Sequence, residues 1–202
     1  MQEYLAFFVT VIVISLSGVI TPGPLFASTL SSGLKQSRVG FRIALGHTVV
    51  ELPLILLIGL GVISLESFSE FRTLITIFGS ASIFVFVAFQ IRSLFRKVSI
   101  KKSKYDPFVA GILLTGLNPF FLVWWFTIGM KLIADSIMIW SFWGIGILFG
   151  LHIWMDYVWL GFVSMISSKG ASFLTGRPYK LLFLGINCVM VYFGVAFLLD
   201  IF

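Results

Sequence analysis

Six long apolar runs divide the chain, and each has about the length that an α-helix needs to cross a bilayer, which is roughly 20 residues. The runs are Tyr4–Ile20, Val39–Ile63, Phe71–Ile91, Phe108–Ile133, Ile137–Ile166 and Tyr179–Phe202. Backbone polar groups in hydrocarbon must bond within a helix or a closed barrel, and barrel strands are only about 10 residues long. The sequence therefore predicts an all-α integral membrane protein with six transmembrane helices.

The composition excludes a soluble domain. Hydrophobic residues make up 59% of the 202 residues and charged residues only 11%, whereas a soluble domain carries roughly 25% charged residues. A fold of this size cannot hide so much apolar surface from water. The net charge of +6 does not indicate nucleic acid, because the positive residues lie in short segments between the apolar runs. We expect a multi-pass protein of the cytoplasmic membrane, surrounded by lipids.

The distribution of Lys and Arg predicts the orientation. Of the 14 such residues, all but Arg72 and Lys131 fall on one side of the six alternating spans. The positive-inside rule makes the basic side cytoplasmic, with both termini outside. Within a single transmembrane domain, residues 92–106 then form a basic cytoplasmic loop between a first repeat, 1–92, and a second repeat, 107–202.

Each repeat has three spans, so the second enters the membrane from the opposite side. Inverted repeats with interrupted helices are common in secondary transporters, and the interruptions mark the substrate site. Prolines interrupt the first span of each repeat at matching places. The N–H groups exposed at such a break favour an anion, and a glycine lets a ligand approach the backbone. We predict that a substrate carboxylate binds between Pro22, Gly23 and Pro24 on one side and Asn118 and Pro119 on the other.

The only two histidines each precede an acidic residue within a span by four residues. The pairs His47–Glu51 and His152–Asp156 each lie on one helix face. A carboxylate near the bilayer centre costs roughly 3 kcal/mol or more unless it faces a wet cavity or a partner. We predict that Glu51 and Asp156 exchange protons and compete for a substrate ammonium, with the histidines as neighbours or relays. A structural hydrogen bond within each helix is the alternative interpretation.

The same four side chains also allow a second hypothesis. Two imidazoles and two carboxylates could coordinate a divalent metal ion if the pairs converge, which would indicate a metal-ion exporter. Otherwise we expect no resident metal and no cofactor. The single Cys188, expected to be buried, provides no disulfide or metal cluster. The absence of a Walker loop excludes a self-contained ATP-driven pump, and no catalytic motif indicates an enzyme.

The two proline motifs and the glycines near them resemble those of the LysE/RhtB family of amino-acid exporters. That family has Pro-Gly-Pro at the end of its first span and spaced glycines after it, as in Ser17–Pro24 followed by Gly33, Gly40 and Gly46. Its glycine-rich fourth span carries Asn-Pro, as in Gly111–Pro119. The resemblance implies a six-helix secondary exporter of amino acids or related small metabolites that is driven by the proton gradient. A transporter of this length can also act as a homodimer.

Overall fold

The chain is helical throughout the part that the computed structural model describes, which is residues 2–65, 69–94, 105–169 and 176–199. Among these residues there is no strand. The eight helices found there are α1 (Gln2–Val19), α2 (Pro24–Gly33), α3 (Val39–Leu65), α4 (Ser69–Leu94), α5 (Pro107–Gly116), α6 (Pro119–Trp140), α7 (Trp143–Lys169) and α8 (Arg177–Leu199). The prediction of an all-α integral membrane protein is confirmed.

The number of candidate spans depends on how one bent pair of helices is counted. Five helices (α3, α4, α6, α7 and α8) contain a stretch long and apolar enough to cross a bilayer. Helices α1 and α2 meet at a bend of 69° and make a sixth span if they are taken together. The protein thus has five or six candidate spans among its described residues. The outside location of the termini and the inverted order of the repeats remain predictions, and most of the predicted loop at 92–106 lies outside the described residues.

The predicted boundary between the fourth and fifth spans, at residues 133–137, is wrong. Helix α6 continues through this segment to Trp140. Lys131, which the prediction placed on the outer side, is buried within α6. Its Nζ atom lies 2.6 and 2.7 Å from the carboxylate oxygens of Asp135 and 4.5 Å from the ring centroid of Phe197. Charges paired at i, i+4 spacing are less costly in a membrane helix than isolated ones, so the helix need not end there.

The two proline interruptions fall at different places in the two halves, contrary to the prediction that they match. In the first half an 18-residue helix precedes the break and a 10-residue helix follows it. In the second half the 10-residue helix α5 comes first and the 22-residue helix α6 follows. The two short helices, α2 and α5, nevertheless contact each other. The breaks are therefore neighbours in space.

Glycines allow α3 to pack directly against the backbones of α5 and α7. A Cβ atom at Gly46 would overlap the carbonyl oxygen of Phe108, and one at Gly111 would overlap the carbonyl oxygen of Ile43. A Cβ atom at Gly40 would likewise overlap a backbone carbonyl of α7. Small residues permit such close contact between membrane helices. These crossings fix the position of α3, which carries the first His–Glu pair.

The outer faces of the helices are apolar, as expected for a surface that contacts lipid. Leu57 and Phe78, for example, are 68% and 65% exposed. Cys188, which we expected to be buried, is also exposed on α8. A free cysteine behaves as a small hydrophobe, so lipid accommodates it as well as a protein core does.

Candidate functional site

The two predicted His–carboxylate pairs meet in one buried centre between α3 and α7. The Nε2 atom of His47 lies 3.2 Å from Oε1 of Glu51 and 3.7 Å from Oδ1 of Asp156. The Nε2 atom of His152 lies 3.2 Å from the same Glu51 oxygen and 3.3 Å from Oδ2 of Asp156. All four residues are at least 95% buried. Each imidazole therefore bridges both carboxylates, and we call these four residues the His–carboxylate centre.

Two further side chains support the centre, and sequence analysis missed both. The hydroxyl of Thr115 on α5 lies 2.8 Å from Nδ1 of His47. The indole N–H of Trp125 on α6 donates to Oε1 of Glu51 at 3.2 Å. Trp125 begins a π-helical segment, Trp125–Gly129, and such segments frequently occur at functional sites. The centre is thus held by four helices rather than two.

Some polar atoms of the centre have no hydrogen-bond partner within the described part of the chain. These are Oε2 of Glu51, Nδ1 of His152 and Oδ2 of Asp156, whose approach to His152 lacks hydrogen-bond geometry. A buried polar atom left unpaired costs about 1–3 kcal/mol. The centre therefore has unused capacity to bind a proton or a polar group of a ligand.

A cavity of about 110 Å³ extends from the centre to both helix breaks. Residues from every described helix except α8 line it. Gly23 lines it at the first break and Asn118 at the second. This volume holds several water molecules or a small solute. The predicted carboxylate site and the predicted proton site thus share one cavity.

The first break places the N-terminus of α2 beside this cavity. Gly23 is the N-cap residue of α2 and offers no side-chain hydrogen bond, and Pro24 occupies the first turn. The N–H groups of Leu25 and Phe26 have no acceptor within the helix, because the first turn lacks preceding carbonyls. Both residues line the cavity. The positive end of the α2 dipole adds to the preference of this place for an anion.

The second break is arranged differently. The side chain of Asn118 caps α6, since its Oδ1 atom accepts a hydrogen bond from the N–H of Phe120 at 3.1 Å. Pro22, Pro24 and Pro119 are not among the described residues that line the cavity. The three prolines instead determine where the helices are interrupted. Of the predicted carboxylate-binding residues, Gly23 and Asn118 are those that the structure brings to the cavity.

Packed apolar side chains close the centre on its other side. Ile55 follows Glu51 by one turn of α3, and Leu148 precedes His152 by one turn of α7. Ile128 occupies the π-helical segment beside Trp125. Ile55, Leu148 and Ile128 are all fully buried and belong to one apolar cluster. The cavity therefore extends from the centre toward the helix breaks and not through this cluster.

Thr115→Val is expected to reduce transport about tenfold, because a buried Nδ1 atom of His47 that loses its partner costs about 1–3 kcal/mol. The measurement is initial flux in proteoliposomes at equal protein content. Thr29→Val is the matched control, since Thr29 is also buried but its hydroxyl bonds the carbonyl of Leu25 in its own helix. Equal flux in both variants would contradict a role for Thr115 in positioning His47.

A bundle of membrane-spanning helices around a cavity with two helix breaks and a buried His–carboxylate centre defines a membrane transporter. The chain belongs to the family of LysE type translocators, whose family model matches residues 16–201. This match includes both breaks and all four residues of the His–carboxylate centre, and it confirms the resemblance seen in the proline motifs. Members of this family are transporters rather than enzymes. Comparison with curated proteins and with solved structures found no match.

Proposed function

We propose that the protein is a secondary active transporter that exports amino acids or related small metabolites across the cytoplasmic membrane by proton antiport. The observation that carries this proposal is the convergence of Glu51 and Asp156, from different helices, on a cavity that also reaches Gly23 and Asn118. An amino acid needs a partner for an ammonium and a partner for a carboxylate. The centre supplies the first, and the N-terminus of α2 supplies the second. Membership of the translocator family supports export.

Competition at the centre provides the coupling without covalent chemistry. A substrate ammonium that pairs with Glu51 or Asp156 displaces a proton, and a proton that returns from the other side displaces the substrate. Both imidazoles contact both carboxylates, so one proton can be shared among the four groups. Release to the opposite side requires the packed cluster around Ile55, Ile128 and Leu148 to separate. Movement of one helix group against another, as in other secondary transporters, would achieve this.

A pH gradient is expected to drive substrate across the membrane in the direction opposite to proton flow. Proteoliposomes loaded with a labelled amino acid should release it faster when the external medium is made more acidic than the lumen. A proton carrier should abolish the acceleration, and a pH-sensitive dye in the lumen should report acidification that depends on substrate. Flux that is the same with and without the pH gradient would contradict proton antiport but would remain compatible with facilitated transport.

A divalent metal ion is the second candidate substrate, and one specific observation favours it. His47, Glu51 and Asp156 each offer a ligand atom, and these atoms lie within 4.8 Å of one another. Nitrogen and oxygen ligands about 2.0–2.2 Å from a shared zinc ion lie no more than about 4.4 Å from one another, so a metal ion would draw these three side chains slightly closer together. The same proteoliposomes with Mn²⁺ or Cd²⁺ in place of the amino acid distinguish the two candidates. Metal flux without amino-acid flux would replace the first candidate by the second.

A further inference from the structure

The cavity walls between the His–carboxylate centre and the helix breaks are mainly apolar and aromatic. They include Leu25, Phe86, Leu114, Phe120 and Phe121. None of the described residues that line the cavity is Lys or Arg, and the two carboxylates of the centre are the only acidic side chains among them. The space available to the side chain of a bound amino acid is therefore hydrophobic.

This distribution of charge discriminates between amino acids. The ammonium and carboxylate of any amino acid have partners in the centre and at the N-terminus of α2. Both carboxylates lie in the one centre, so a basic side chain that extends away from an ammonium bound there would place its second cationic group beside apolar and aromatic walls. Burial of an unpaired charge is strongly unfavourable. An apolar side chain gains free energy from the same burial.

An adjoining groove lies on the outer, lipid-facing side of the cavity wall, because Val85, Phe89 and Val123 in its lining are about half exposed. It has a volume of about 140 Å³, lies between α4 and α6, and is lined by Val85, Phe86, Phe89, Pro119, Phe120 and Val123. Phe86 and Phe120 line both the groove and the cavity. Their ring centroids are 6.4 Å apart in an edge-to-face arrangement. These two rings form the wall between the two spaces.

We propose that the substrates are amino acids with apolar side chains, and that Phe120 limits the size of the side chain that fits. This inference rests on the proposed function and narrows its substrate class. The observation that carries it is the combination of a mainly apolar and aromatic cavity wall with ionisable side chains, among the described lining residues, only in the His–carboxylate centre. Removal of the Phe120 ring joins the cavity to the groove, so larger apolar side chains gain room.

Competition in proteoliposomes tests the substrate class. Leucine, methionine, phenylalanine, lysine and arginine are each added as unlabelled competitors against labelled leucine and, separately, against labelled lysine. The apolar competitors should inhibit at concentrations at least about tenfold lower than the basic ones. A factor of this size is typical of the discrimination that hydrophobic pockets achieve between substrates. Equal or stronger competition by lysine and arginine overturns the substrate class alone. Each of the five amino acids is also supplied in labelled form, and if none of them is transported the proposed function is overturned, and the inference with it.

Phe120→Ala tests the role of the ring. The ratio of kcat/KM for phenylalanine to that for leucine should rise about tenfold, as expected for discrimination between side chains of different size by a hydrophobic pocket. Phe78→Ala is the control, because Phe78 lies on α4 with 65% exposure and lines neither space. A general loss of folded protein would lower the apparent kcat/KM for phenylalanine and for leucine by the same factor, so their ratio would not change. An unchanged ratio in Phe120→Ala, or an equal change in Phe78→Ala, overturns the assignment.

Discussion

Glu51→Gln is expected to reduce proton-driven transport by at least about 100-fold, which corresponds to about 3 kcal/mol. The Oε1 atom of Glu51 lies 3.2 Å from a nitrogen of each of His47, His152 and Trp125. It is the one atom of the centre to which three side chains are joined in the described structure. Glutamine has the same size and keeps an accepting carbonyl, so the packing survives. It cannot bind a proton or pair with an ammonium, so the exchange cannot occur.

Initial flux in proteoliposomes measures this loss, with size-exclusion chromatography to show that the variant is folded. Glu70→Gln removes the same charge from an exposed position near the start of α4. It should change flux by no more than about twofold, as is usual for surface substitutions. Flux of the wild-type magnitude in Glu51→Gln would remove this carboxylate from the mechanism.

Hydropathy predicted the helical class of the fold, but it did not predict where one long helix ends. The apolar runs identify helices because lipid leaves no other arrangement for the backbone. The false boundary at 133–137 arose because Lys131 and Asp135 resemble loop residues in the sequence. Only the structure shows that they neutralise each other along α6 and that Phe197 covers the ammonium. Pairing within a helix is a local contact, but its burial depends on a helix distant in the sequence.

The His–carboxylate centre was the most predictable part of the site. Two i, i+4 pairs in apolar segments indicate buried polar groups that need partners, and the structure brings the pairs together. The sequence could not show that each imidazole would contact both carboxylates, since this depends on how α3 and α7 pack. Thr115 and Trp125 gave no signal, because one resembles an ordinary small helix residue and the other an ordinary apolar one. Their roles arise from the packing of α5 and from a π-helical turn that no periodicity reveals.

The proline motifs indicated where the helices are interrupted, and the structure adds which residues of each motif border the cavity. The sequence indicated interrupted helices near the membrane interior, and both interruptions border the cavity. It assigned the substrate carboxylate to the motifs Pro22–Pro24 and Asn118–Pro119, and within these motifs the structure brings Gly23 and Asn118 to the cavity. Proline lacks an N–H group and fixes the backbone, so its effect is to interrupt the helix. Gly23 and Asn118, which lie next to these prolines and lack the proline ring, are the residues whose polar atoms can face the cavity.

Gly111→Ala is expected to lower the thermal unfolding midpoint by about 6–12 °C. The added Cβ atom would overlap the carbonyl oxygen of Ile43 and lie 2.9 Å from the Cα atom of Gly46 and 3.0 Å from the backbone nitrogen of His47. These are backbone atoms, so α3 and α5 must separate. Overpacking of this kind costs about 3 kcal/mol, and each kcal/mol shifts the midpoint of a protein of this size by about 2–4 °C. Flux should fall as well, because the separation displaces His47 from Thr115.

Gly150→Ala separates this packing effect from the general effect of placing alanine in a helix. A Cβ atom at Gly150 on α7 would meet no atom of the described structure within 4 Å outside its own helix. Alanine favours a helix over glycine by up to about 1 kcal/mol, so this variant should keep or slightly raise the unfolding midpoint. Thermal unfolding of the purified proteins in the same detergent provides the comparison. If Gly111→Ala unfolds at the same temperature as Gly150→Ala, then direct backbone contact between α3 and α5 does not hold His47 and Glu51 in place.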